Sequence, residues 1–154
     1  MRSTTLAILA AGTTALVLVA CARTPENRAA DSTTAREPAA SRAAVVDRDW
    51  ALVTLRDSVA PLGAGGKPAT IRFDSAATRA AGFAGCNRYS APYTMKGDSL
   101  HFGPAISTKM ACAEGDSLER AFLAIIPDVT TFQATDSTLT LAGSSGPLAG
   151  FRTQ

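Results

Sequence analysis

Two cysteines and one histidine are the residues of this chain best suited to covalent chemistry. A nucleophilic thiol at Cys86 or Cys112 would need a base, usually an imidazole, and His101 is the sole histidine. It sits between Leu100 and Phe102 in an alternating stretch. If those two face a core, His101 faces outward, where a strand histidine is solvated rather than catalytic. The other reading of the pair is a disulfide. Cys21, the third cysteine, ends an apolar N-terminal run and is set apart by it. In an oxidising compartment the even pair that remains is expected to be bonded. We expect a Cys86–Cys112 disulfide, and closing that loop should stabilise by about 3–4 kcal/mol in the chain-entropy model.

Other catalytic patterns fail on spacing. Gly63-Ala64-Gly65-Gly66-Lys67 has the composition of a phosphate loop, but Pro61 stands where the first glycine is required and Pro68 where Ser or Thr would bind magnesium. A strand follows where a helix should, so the segment reads as a flexible loop. Ser144-Ser145 between Gly143 and Gly146 is a turn, not a nucleophile elbow. Asp74, Asp98, Asp116, Asp128 and Asp136 fall mainly at turns and caps, where aspartate bonds its own backbone. One histidine and a bonded cysteine pair leave too few ligands for a metal site, and no motif calls for a cofactor. The best binding candidate is Asn87-Arg88-Tyr89 with Tyr93 and Lys109. A Cys86–Cys112 bond would bring Arg88 near Lys109, and two cations beside two tyrosines could receive an anionic or aromatic ligand. The competing reading has Asn87 shaping a turn, Tyr89 packing and the cations solvated.

The elements that must position these residues begin at Asp49. Trp50–Leu55 reads as a strand, and Ala69–Phe73 alternates with Ile71 and Phe73 inward. Ala80–Ala84 is a third short strand. Tyr93–Met95 and Ser99–Phe102 flank Lys96-Gly97-Asp98, a hairpin signal, and Thr130–Gln133 and Thr138–Leu141 flank Asp136-Ser137, another. Leu148–Arg152 is the last strand. Leu118, Phe122, Ile125 and Ile126 fall at helical spacing, with Asp116 as N-cap, Glu119 at capping-box spacing and Pro127 as stop. The expected fold is α+β and β-rich: an antiparallel sheet curled into an incomplete barrel with one short helix.

The N-terminus is an address. After Met1-Arg2-Ser3, residues 6–20 are apolar or small and carry no charge. The run is too short for a membrane span of about 20 residues, and a basic start, apolar stretch and small residues make a secretory signal. Leu18-Val19-Ala20-Cys21 resembles the bacterial lipobox. That resemblance implies a signal peptide over 1–20 and acylation, palmitate included, at Cys21; the alternatives are a plain signal peptide cut elsewhere or an uncleaved anchor. Ala22 is not the Asp that retains many lipoproteins at the inner membrane, which implies the periplasmic face of the outer membrane. Residues 21–48 then form a lipidated, disordered tether, poor in large apolar residues, and 49–154 the domain. From Asp49 onward nine Lys/Arg balance nine Asp/Glu, which gives no electrostatic case for nucleic acid.

Several blocks together are similar to one family. Gly85-Cys86-Asn87-Arg88-Tyr89, Tyr93, Leu100-His101-Phe102-Gly103-Pro104, Ser107-Thr108-Lys109-Met110-Ala111-Cys112, Glu119-Arg120-Ala121-Phe122 and Leu139-Thr140-Leu141 resemble a META domain, the family of HslJ-like bacterial envelope proteins. Ala91-Pro92 and Ala105-Ile106 depart from its usual Gly and Leu-Ala. The resemblance implies a β-rich fold with a helix, an envelope location, and a loose link to stress response and antibiotic resistance; it brings no catalytic residue. The chain is thus expected to be a monomeric, non-catalytic module that binds a small molecule or lipid. The alternative is an assembly protein that binds another envelope protein through its sheet surface.

Overall fold

Apolar residues at every second position give the longer strands one buried face, and those strands bury the faces by wrapping around a common core. The computed structural model describes residues 42–154. The signal segment, Cys21 and the tether through residue 41 lie outside the described residues. Ten strands follow in chain order: β1 (Asp49–Leu55), β2 (Ser58–Val59), β3 (Thr70–Asp74), β4 (Arg79–Phe83), β5 (Arg88–Lys96), β6 (Ser99–Phe102), β7 (Ile106–Ser107), β8 (Thr131–Ala134), β9 (Thr138–Gly143) and β10 (Gly146–Thr153). A single helical turn, α1 (Arg42–Val45), precedes them, and the ten-residue helix α2 (Asp116–Ile125) stands between β7 and β8.

Eight strands run antiparallel in the order β1-β3-β4-β5-β6-β8-β9-β10, and β10 returns to pair with β1. The barrel is therefore closed, not incomplete as expected. The physical reason is β1, which uses both edges: Asp49–Ala51 pair with β3 on one side, while residues from Trp50 to Leu55 pair with β10 on the other. Closure removes the long free edges that an open sheet would expose. The thinnest joint is β6 to β8, where Ser99 faces Thr131 and two backbone bonds flank the pair, Leu100 N–H to Thr130 O at 3.0 Å and Phe132 N–H to Asp98 O at 2.9 Å. The short β2 and β7 add to β1 and β5.

Trp50, Ile71, Phe73, Leu100, Phe132, Leu139 and Leu141 fill the interior. Helix α2 buries Leu118, Phe122 and Ile125 against it. The Phe122 ring meets Tyr89 of β5 edge-on at 5.4 Å and Phe151 of β10 at 6.3 Å, so the helix ties two distant walls together. The helix start differs from expectation. Gly115, at φ 88°, holds the N-cap position; Asp116 lies inside the first turn and pairs with Arg120. Glu119 points elsewhere, as described below.

Packing begins before Asp49. Val45 is fully buried, and the indole N–H of Trp50 donates to its carbonyl at 3.0 Å. Asp47 accepts the Ser75 hydroxyl at 2.7 Å and the Ser75 N–H at 3.2 Å, and these bonds hold its carboxyl below the ordinary aspartate value.

Candidate functional site

Three backbone segments meet where β4 turns into β5. Gly63 from the proline-bracketed loop, Gly85 from the β4–β5 turn and Gly115 from the start of α2 approach too closely for side chains. A Cβ on Gly63 would lie 2.2 Å from the Gly85 carbonyl oxygen, and one on Gly115 would lie 2.0 Å from the same atom. That oxygen accepts the Ala64 N–H at 2.7 Å. The glycine-rich segment is thus packed at Gly63, while Gly65 and Gly66 of its one 3-10 turn, Ala64–Gly66, are exposed with open space around them.

The next residues fasten this corner to the helix and to the stretch after β7. Cys86 is bonded to Cys112, with Cα atoms 5.9 Å apart, as expected from the sequence. Asn87 is buried and uses its whole side chain. Its Oδ1 accepts the Thr108 hydroxyl at 2.7 Å and the Met110 N–H at 2.8 Å. Its Nδ2 donates to the Met110 carbonyl at 3.1 Å and to Glu119 Oε2 at 3.0 Å. Glu119 Oε2 also accepts the Asn87 backbone N–H at 2.7 Å. A carboxylate from α2 therefore does for the β4–β5 turn what a helix N-cap does for a helix end: it satisfies a buried N–H that has no strand partner.

These fixed parts frame a cleft of about 660 Å³. Ala64, Pro68, Phe83 and Met110 give it an apolar wall; Cys86, Lys67, Arg88, Thr70, Thr108 and Gln154 complete the lining. Met110 is 63% exposed, a large apolar side chain held at the surface by a network beneath it. A second groove, between α2 and residues 107–111, contains Lys109 with Asp116, Arg120 and Leu123.

The five residues singled out by sequence for binding do not share one site, although Asn87 and Lys109 both line the second groove. Asn87 is the structural hub. Arg88 lines the cleft, whereas Lys109 lines the groove, although Thr108 N–H bonds the Arg88 carbonyl at 3.0 Å. Tyr89 and Tyr93 lie inside the barrel and donate to the carbonyls of Thr70 at 3.2 Å and Asp74 at 3.3 Å. Burial pushes both phenols above the ordinary tyrosine value. His101 is exposed, with its Nε2 3.3 Å from the Ser99 hydroxyl. Lys67, Phe83, Met110 and Gln154 were not singled out. The signal that could have found Lys67 is the pair Pro61 and Pro68 around it, which marks a stiff loop rather than a mobile one.

A small closed β-barrel with one inserted helix and a disulfide-anchored turn defines the class. The model of the META domain matches residues 43–154, and the chain belongs to that family. An NMR structure of a protein from Burkholderia xenovorans is 29% identical, with a TM-score of 0.58 over 71% of this chain and 83% of that one. A second NMR structure is 18% identical, with a TM-score of 0.55 over 70% of this chain and 90% of that one, and it shares the fold. No curated protein matches the chain.

Proposed function

We propose that this protein is a lipid-anchored, non-catalytic binding module of the bacterial envelope, with the cleft beside the Cys86–Cys112 bridge as its receiving site. The observation that carries the reading is the cleft itself: an apolar hollow whose floor is held by a disulfide and a saturated Asn87–Glu119 network. Its volume lies in the range of small-ligand pockets, roughly 300–1,000 Å³. The bonded cysteines suit an extracytoplasmic compartment, and they leave neither Cys86 nor Cys112 as a free thiol. Cys21, at the end of the lipobox-like Leu18-Val19-Ala20, is the proposed acyl site, with the periplasmic face of the outer membrane as destination. A role in envelope stress or antibiotic resistance would follow from what the cleft holds.

Two experiments test the two halves. Cells fed labelled palmitate should yield a labelled, membrane-pelleted protein, and Cys21→Ser should remove the label; a labelled Cys21→Ser variant would end the anchoring proposal. An organic extract of the full chain purified from its own envelope should contain one small molecule in stoichiometric amount. An extract without one favours the second reading, a structural partner of another envelope protein. That reading has its own observation: Val59 of β2 and Leu62, neither of them in the cleft lining, are 83% and 60% exposed.

A further inference from the structure

The chemistry of the cleft lining narrows its ligand. Ala64, Pro68, Phe83 and Met110 offer hydrocarbon contact only. Each threonine hydroxyl makes one bond within the protein: Thr70 Oγ1 accepts the Phe83 N–H at 3.0 Å, which leaves its own O–H to donate, and Thr108 Oγ1 donates to Asn87 Oδ1 at 2.7 Å. The other polar side chains of the lining are Lys67, Arg88 and the Gln154 amide. Among the described residues neither of these two cations forms an ion pair, whereas Arg72 and Arg120 do. No aspartate or glutamate side chain lines the cleft. Lys67 follows the 3-10 turn and Arg88 opens β5, so two independent segments deliver positive charge to one hollow.

A ligand that meets both halves of this lining gains more than one that meets only one. A small polar anion would pair with the cations and leave the apolar wall in water. A neutral hydrocarbon would cover the wall and gain nothing from the two exposed cations. Resting on the binding-module reading above, we propose that the cleft receives an amphipathic carboxylate, its apolar body against Phe83 and Met110 and its carboxylate between Lys67 and Arg88. A free medium-chain fatty acid is the simplest member of that class.

The test is a titration of the isotopically labelled mature chain carrying Cys21→Ser, followed by amide NMR, with decanoate, decan-1-ol and inorganic phosphate as probes. Decanoate is expected to shift amides of residues 64–70, 83–88 and 108–110 saturably. The double variant Lys67→Glu, Arg88→Glu should weaken decanoate at least tenfold while its unliganded spectrum stays folded; both side chains are exposed, so the fold tolerates the change. Decan-1-ol should bind at least tenfold more weakly, and phosphate should leave these amides unmoved. Equal affinity for the alcohol, or no effect of charge reversal, overturns the carboxylate while leaving a binding cleft. Saturation by phosphate alone overturns the amphipathic class. Shifts confined to other regions, or none with any probe, overturn the proposal outright, and the envelope extract then decides whether the binding-module reading survives it.

Discussion

Replacing Glu119 by Ala is expected to cost the fold about 3 kcal/mol, although the side chain adds no apolar surface to the core. Its Oε2 accepts two bonds from Asn87, from the backbone N–H at 2.7 Å and from Nδ2 at 3.0 Å. A hydrogen bond to a charged group contributes about 1.5–3 kcal/mol, which puts the pair at roughly 3–6 kcal/mol. The lower end applies because Asn87 Nδ2 keeps the Met110 carbonyl and because water can enter from the adjoining groove. Glu119→Gln keeps the shape and one acceptor, and should cost about 1–2 kcal/mol. Asn87→Ala removes the side-chain half of the network but leaves its backbone N–H on Glu119. The double-mutant cycle should therefore show coupling of about 1–2 kcal/mol. The assay is urea unfolding of the oxidised chain followed through Trp50, the one tryptophan and a fully buried one. A Glu119→Ala loss below about 0.5 kcal/mol, or additivity within about 0.3 kcal/mol, would refute the idea that this carboxylate holds the turn.

Gly115→Ala should destabilise by more than about 3 kcal/mol, because a positive φ adds to a 2.0 Å clash with Gly85 O, whereas Gly97→Ala, with φ 61° and open space, should cost about 1–2 kcal/mol; thermal unfolding separates them. The double variant Cys86→Ser, Cys112→Ser should lose about 3.5 kcal/mol in urea, as loop closure over a separation of 26 residues requires in the chain-entropy model, and a change under 1 kcal/mol would contradict it. Stability should fall as pH rises above about 10, the unfolded tyrosine value. Tyr89 keeps its proton when folded and loses it when unfolded, so it contributes a slope of up to about 1.4 kcal/mol per pH unit, and Tyr93, also raised by burial, acts in the same direction. Tyr89→Phe should flatten that slope in denaturant curves taken between pH 9 and 11.

Local pattern made most of the walls legible. The alternation at Ile71 and Phe73, the Gly97 hairpin and the Leu118–Phe122–Ile125 stripe each name their own element, and each stands where the pattern put it. Closure was not legible, because the pairing of Trp50 with Thr153 joins the two ends of the domain and no local signal carries it. The strand over Arg88–Pro92 was missed for a related reason. Proline lacks the N–H a ladder needs, yet Pro92 sits where β6 gives way to Gly103, whose N–H bonds the Pro92 carbonyl at 2.8 Å. The cysteine pair could be read from count and compartment. The cleft could not, since Lys67, Arg88 and Met110 come from three segments that only the glycine corner and the Asn87 network bring together. Glu119 misled for a physical reason: capping-box spacing is a local signal, and a buried N–H across the fold outbid it.

The cleft as receiving site is tested most directly by native mass spectrometry of the full chain purified from its own envelope, beside an Ala64→Trp variant whose indole fills the hollow. The expected result is a reproducible adduct on the unmodified protein, lost on denaturation and absent from the variant, with both chains unfolding at similar temperatures. An adduct that persists on Ala64→Trp, or none on the unmodified protein, would contradict the assignment of binding to this cleft.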